Sequence, residues 1–353
     1  MKHKQFAAAV ILVLVFLLTG GAFSAAKRPA TMAELALYKG QDRQQILEEG
    51  AKKEGKLTFY TAGVLKQAVQ PVINAFEKKY PFIKVEVWRA DGGPVLSRAL
   101  EEYKAGKYLV DVIEGTQNVM YVAEKAGLAQ PFYSSNIAQL DEDAVMNAPG
   151  GGVYAAAFRL SGYGVGYNTK LISKDQLPKS YQDLLDPKWK GKMVIVSGDT
   201  GVNWASLIKN TFGEEFLKKL AKQEFIVQTV MANALLDLIA NGEYAISPTI
   251  IDSHVVERQK KGIPVAWVPL EPVRVNLGQI MVARNAPNPH AALLFADFEL
   301  TRQGGEIHLD LGYNSFRKDL PPLGQNYKKY YGNPSSASLK EDYETFQKLF
   351  VSK

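Results

Sequence analysis

Between Leu57 and Gly127 the chain alternates three times between a short apolar run and a segment with helical spacing. Leu57-Thr58-Phe59-Tyr60 reads as a buried strand. Residues 64–79 read as a helix with apolar Val69, Val72, Ile73 and Phe76, and Pro71 marks a kink or a later start. Residues 83–88 alternate as a strand does, 94–104 read as a helix with Pro94 near its first turn, 108–113 as a strand, and 118–126 as a helix stopped by Gly127. A parallel strand pair needs a long crossover, so this order predicts βαβ units with right-handed connections. Upstream, residues 33–53 form an amphipathic segment that Gly40 divides.

Pro149-Gly150-Gly151-Gly152 is the strongest punctuation in the chain. After it come two aromatic-rich strand pieces over 153–168, interrupted near Ser161-Gly162. A strand over 193–196 follows, then helices over 203–210, 214–222 and 231–241. Strands are expected over 243–247, 265–268 and 273–283, a helix over 289–302, and a helical tail over 338–351 with Ser338 as its N-cap. A chain of 353 residues suits two domains. The expected division is one α/β lobe of 27–153 plus 265–310 and a second of 154–264 plus 311–353.

Composition excludes much chemistry. There is no cysteine, which removes disulfides, thiolate metal sites and cysteine nucleophiles. Only His3, His254, His290 and His308 are available for a histidine metal centre or a Ser-His-Asp triad. The net charge of +6 is mild and its lysines are interspersed with glutamates, so no nucleic-acid stripe is expected. Lys2 and Lys4, the apolar run from Phe6 to Leu18 and the small residues up to Ala26 read as a cleaved export signal over 1–26. With no cysteine after it, the product is expected to be a soluble periplasmic protein and not a lipoprotein.

Ligands of open α/β sheets lie beyond the carboxyl ends of strands, so the strand-to-helix turns are the candidate sites. Tyr60-Thr61-Ala62-Gly63 offers a hydroxyl and backbone N–H groups for an anion or polar group, or an ordinary threonine N-cap. In Arg89-Ala90-Asp91-Gly92-Gly93-Pro94, Arg89 supplies a fork of donors and Gly92 permits close approach; a tight turn with a surface ion pair is the alternative. Thr116 follows Glu114-Gly115. Ser197-Gly198-Asp199-Thr200-Gly201 precedes a helix whose dipole can face a ligand, yet lacks the Gly-Lys-Ser/Thr of a nucleotide loop. Arg159 and Tyr163 lie in a strand with alternating Gly162, Gly164 and Gly166, and face either a cleft or the core. Trp204, Thr249 and Asp252 complete the candidate set. Asp252 and His254 are also an Asp-His pair able to orient an imidazole, the basis of a second alternative, a secreted hydrolase, for which no nucleophile is identified.

The segments Glu54–Tyr60, Phe76–Pro81, Gly164–Ile172, Leu184–Lys192, Ala240–Glu243 and Ala286–Ala292 resemble bacterial extracellular solute-binding proteins of family 1, in the iron(III)-type branch of ABC transporter components. The resemblance covers nearly all of the chain after the signal. It implies a two-lobed periplasmic-binding-protein fold, type II-like, with the ligand in the interlobe cleft, hinge closure, and delivery to an ABC permease by a monomer. The expected ligand is a small anionic organic solute, its charge met by Arg89 and Arg159 and its polar atoms by Thr61, Thr116, Ser197 and Thr200. Catalytic residues, metal and cofactor are expected to be none. Ferric iron is the alternative: iron-binding members carry a tyrosine pair that falls here on Ile250 and Ile251, which offer no anionic oxygen.

Overall fold

The computed structural model describes residues 28–322, 327–332 and 336–352; the export signal read over 1–26 lies outside them. Helices α1 (Met32–Leu37) and α2 (Arg43–Glu54) lead into β1 (Lys56–Thr61), α3 (Gln70–Lys79), β2 (Lys84–Arg89), α4 (Gly92–Lys104), β3 (Val112–Gly115) and α5 (Gln117–Lys125). β1 pairs in parallel with both β2 and β3, with Phe59 opposite Val87 on one side and Val112 on the other. This is the expected βαβ order. Pro71 has its physical effect at the start of α3: residues 65–69 form a wide π turn, and the α-helix begins at Gln70 with the proline in its first turn, where a missing N–H costs nothing.

The chain continues through β4 (Val145–Ala148), β5 (Gly152–Asn168), β6 (Val194–Val196), α6 (Asp199–Phe212), α7 (Glu214–Ala221), β7 (Ile226–Gln228), α8 (Ala232–Ala240), β8 (Ile246–Ile251), α9 (Asp252–Lys260), β9 (Val265–Val268), β10 (Val273–Val282), α10 (Pro289–Leu300), α11 (Arg302–Asp310), β11 (Lys329–Tyr330) and α12 (Ser336–Phe346). The two strand pieces expected over 153–168 are one strand, β5. It stays continuous because its partners change: up to Gly162 it pairs with β4 and β10, and from Tyr163 with β8 and β9. The alternating glycines after the switch allow close approach. A Cβ on Gly164 would stand 2.5 Å from the Trp267 ring, and one on Gly166 2.5 Å from Ile250.

The main sheet runs β2-β1-β3-β10-β5-β4, and β8 and β9 extend the far half of β5. Each half has its own core. Phe76 packs edge-on against Phe295 and Phe298 in the first, with Phe59, Phe158 and Leu160. Trp204 meets Phe225 and Phe350 in the second, with Val165, Leu217 and Phe346. The molecule is therefore a two-lobed α/β protein. The division read at residue 153 falls inside β5, whose Ala156, Phe158 and Leu160 pack with the first core. Residues 265–268, read into the first lobe, pair with Val165–Asn168, and Phe316, read into the second, belongs to the first core. Glycine and proline mark the ends of the long strands, whereas the change of body occurs within them.

Asp252, read as a ligand residue, braces this change of partner instead. Its carboxylate accepts from the Gly162 N–H at 3.0 Å and the Ser253 N–H at 2.7 Å. Burial pushes its carboxyl up from 3.8 to about 7, against the pull of those donors and of the Tyr327 hydroxyl. The folded chain thus holds this proton more tightly than the unfolded chain does. The associated stability is full below about pH 4 and is lost as the pH rises to about 7. In Asp252→Asn this term is absent. The difference in melting temperature between variant and wild type should shift in the variant's favour as the pH rises from 4 to 7; a difference that stays flat would contradict this.

Candidate functional site

A cleft of about 630 Å³ opens between the two bodies at the carboxyl ends of the strands. Five helices begin on its wall: α4 at Gly92-Gly93-Pro94, α5 after Thr116, α6 at Asp199-Thr200, α8 at Ala232-Asn233 and α9 at Ser253-His254. None of their N-cap residues (Asp91, Thr116, Gly198, Met231 and Ile251) makes a side-chain capping bond. At α4, α5, α6 and α8 the first-turn N–H groups are therefore not consumed by side-chain caps, whereas at α9 the Asp252 carboxylate takes the Ser253 N–H; each helix adds partial positive charge at its start. Gly201 sets the fit of α6 on β6, since a Cβ there would lie 2.0 Å from the Val196 carbonyl.

The side chains on the wall are mainly neutral donors and acceptors. Ser161 Oγ is buried without a hydrogen-bond partner, as is His254 Nδ1. Burial, with Arg258 and Arg159 adding to it, lowers His254 to about 3, so its ring is neutral at pH 7. Asp199 is raised above the ordinary carboxylate value by burial and then by the charge of Asp91. Asp91 itself pairs with Arg89 at 3.2 Å.

Arg159 lines the cleft, but its charge is met within the protein. Its Nη2 donates to Glu114 Oε1 at 2.6 Å, and the guanidinium sits over the Tyr313 ring at 4.9 Å. Burial opposes this cation, yet Glu114, Tyr313 and Glu299 hold its pKa above the ordinary value. The other oxygen of Glu114 accepts from Thr61 Oγ1, from the Ala62 N–H at 3.0 Å and from the Gly63 N–H at 2.9 Å.

Of the candidates read from sequence, Gly92, Thr116, Arg159, Ser197, Asp199 and Thr200 meet on the cleft wall, and the other seven lie elsewhere. Tyr60 points to the opposite face of β1, donates to Glu102 and is pushed up to about 12 mainly by burial. Thr61 is buried on Glu114. Arg89 is tied to Asp91 and to the Gly63 carbonyl at 3.3 Å. Tyr163 is buried beside Ala232 and Ile251. Trp204 fills the second core. Thr249 is buried against Ser247. Asp252 is engaged by backbone, which leaves the imagined Asp252–His254 couple without its acid.

Sequence reasoning passed over Ser161, Asn276, Ser253, Asn233 and Tyr313 as wall residues. Ser161 and Asn276 face each other across β5 and β10, a pairing only topology reveals. Ser253 lies at the start of α9, a polar helix whose weak apolar periodicity hides it. Among the described residues no group of three or more His, Asp or Glu could hold a metal ion. Ile251 lines the cleft where the iron-type resemblance calls for a phenolate.

Residues 108–318 match the family described as bacterial extracellular solute-binding protein. An uncharacterized protein of Haemophilus influenzae is 26% identical over 270 residues, spanning 73% of this chain and 76% of its own. Among solved structures, iron-bound HitA of Pseudomonas aeruginosa shares the fold at a TM-score of 0.71 and 20% identity, over 83% of this chain and 99% of HitA. AfuA of Actinobacillus pleuropneumoniae, with fructose-6-phosphate bound, gives 0.71 and 21% over 85% and 100%. The substrate-binding protein of an ABC transporter from Agrobacterium tumefaciens gives 0.72 and 17% over 83% and 94%. On its fold, its cleft and this match, the chain belongs to the bacterial extracellular solute-binding proteins.

Proposed function

We propose that this protein is the periplasmic substrate-binding component of an ABC importer, and that it closes on a small hydroxylated organic anion. One observation carries the reading: four helix starts free of side-chain caps, those of α4, α5, α6 and α8, converge on a cleft that also holds the buried, partnerless Ser161 Oγ. Backbone N–H groups at helix starts suit phosphate or carboxylate without a free cation. Asp91 and Asp199 are acceptors, so they suit hydroxyls on the same solute. Fructose-6-phosphate, bound by AfuA, has both features.

HitA holds iron, but a hard trivalent ion needs several anionic oxygens, and here Asp91 is paired with Arg89 and Ile251 occupies a wall position. For the motion, we assign residues 28–161 with 273–320 to one lobe and 163–272 with 336–352 to the other, hinged where β5 and β10 pass between them. Export by the cleaved signal, a monomeric state and delivery to a permease complete the proposal.

Native mass spectrometry of gently purified protein should show a retained small anion. The same compound, at a hundredfold excess over Kd, should stabilise the stripped protein by about 2.7 kcal/mol. No retained mass, together with no thermal shift across anions, sugar phosphates and amino acids, would refute the proposal. Ser161→Ala should leave the melting temperature near wild type and weaken solute binding roughly tenfold or more, the value of a hydrogen bond to a charged group. Equal affinity in calorimetry would remove Ser161 from the site.

A further inference from the structure

The turn after β1 is built to hold an anion, and it holds one already. Thr61 Oγ1 and the N–H groups of Ala62 and Gly63 converge on Glu114 Oε2, while Arg159 Nη2 takes Oε1. Four donors on one carboxylate fill its acceptor sites. The Glu114 side chain is 3% exposed, and Phe59, Val69 and Phe158 share the small chamber beside it, so its carboxylate is shielded from water. Ala62, Gly63 and Arg159 nonetheless line the ligand cleft. The Ala62 and Gly63 N–H groups thus reach the cleft wall already hydrogen-bonded, and the Arg159 charge reaches it already balanced by Glu114.

We propose that Glu114 is a specificity-determining residue, an internal anion that withholds the β1 turn and the charge of Arg159 from the solute. This rests on the reading of the cleft as a ligand site and narrows the ligand class. The anionic group of the solute is received at the starts of α4, α5 and α6, and its other end, which meets the Arg159–Glu114 corner, is uncharged. A solute charged at both ends is disfavoured, because its second anion meets a cation already balanced by the Glu114 carboxylate behind it. Glu114 acts on the solute through Arg159 and the turn, so it is a positioning residue.

Two variants test this, with inorganic phosphate and formate as probes. Glu114→Gln keeps the side-chain shape and leaves the Arg159 charge unbalanced at the wall. Its affinity for inorganic phosphate in calorimetry should rise by about tenfold or more over wild type, the effect of about 1.4 kcal/mol. A folded Glu114→Gln that binds phosphate no better than wild type overturns the proposal. Should that variant not fold, Glu114→Ala decides. It opens a carboxylate-sized cradle that formate fills, so formate, compared with equal chloride, should raise its melting temperature by about 2–4 °C or allow it to fold, and leave wild type unmoved. No response to formate counts against the proposal. Solute retention by wild type is read separately, so failure here leaves the transport reading intact, and failure there is a different result.

Discussion

Strand β5 is hydrogen-bonded into both halves of the molecule, and the rest of the architecture follows from that. A strand that changes partners at Gly162 cannot let either half fold without fixing the other's connection to it. β10 runs beside its first half, and β9 returns along its second. The parallel β-α units on each side then have to point their strand ends, and the helices that follow, toward the space between. The convergence of helix starts on one cleft is a consequence of topology, reached from both sides of the same strand.

On the proposed reading, this geometry lets a cleft take an anion although, among the described residues, the one arginine on its wall is paired. Arg159 is balanced by Glu114 and Arg89 by Asp91. What else lines the cleft is backbone N–H, serine and threonine hydroxyls, the Asn233 and Asn276 amides, the Asp91 and Asp199 carboxylates, and an imidazole that burial keeps neutral. Preorganised dipoles of this kind need no mobile side chain to be ordered on binding, which limits the entropic cost of capture.

Much of this was legible in the sequence, in proportion to how local its cause is. The βαβ alternation is written in apolar spacing, and it located the turns at Gly92, Thr116 and Ser197–Thr200 on the cleft wall. The chemistry of Thr61-Ala62-Gly63 was also read as anion-holding, and it is; the anion is Glu114, fifty-three positions away from Thr61, and no local pattern announces that. The same distance problem misplaced Arg159's charge, hid the Ser161–Asn276 pair, and split β5 in two. Tyr60 and Thr249 are engaged away from the wall, Tyr60 on Glu102 and Thr249 against Ser247. Of the two cleft-or-core choices open for Tyr163 the core holds it, beside Ala232 and Ile251, and Trp204 fills the second core.

The account stands on where the guest sits. A crystal structure of the protein carrying the solute it retains is the most direct measurement. The solute's anionic group should lie against the first turns of α4, α5 and α6, within hydrogen-bond reach of Ser161 Oγ, with the Glu114–Arg159 pair intact at the solute's uncharged end. A guest bound outside the cleft, or one held there by an Arg159 released from Glu114, would contradict it.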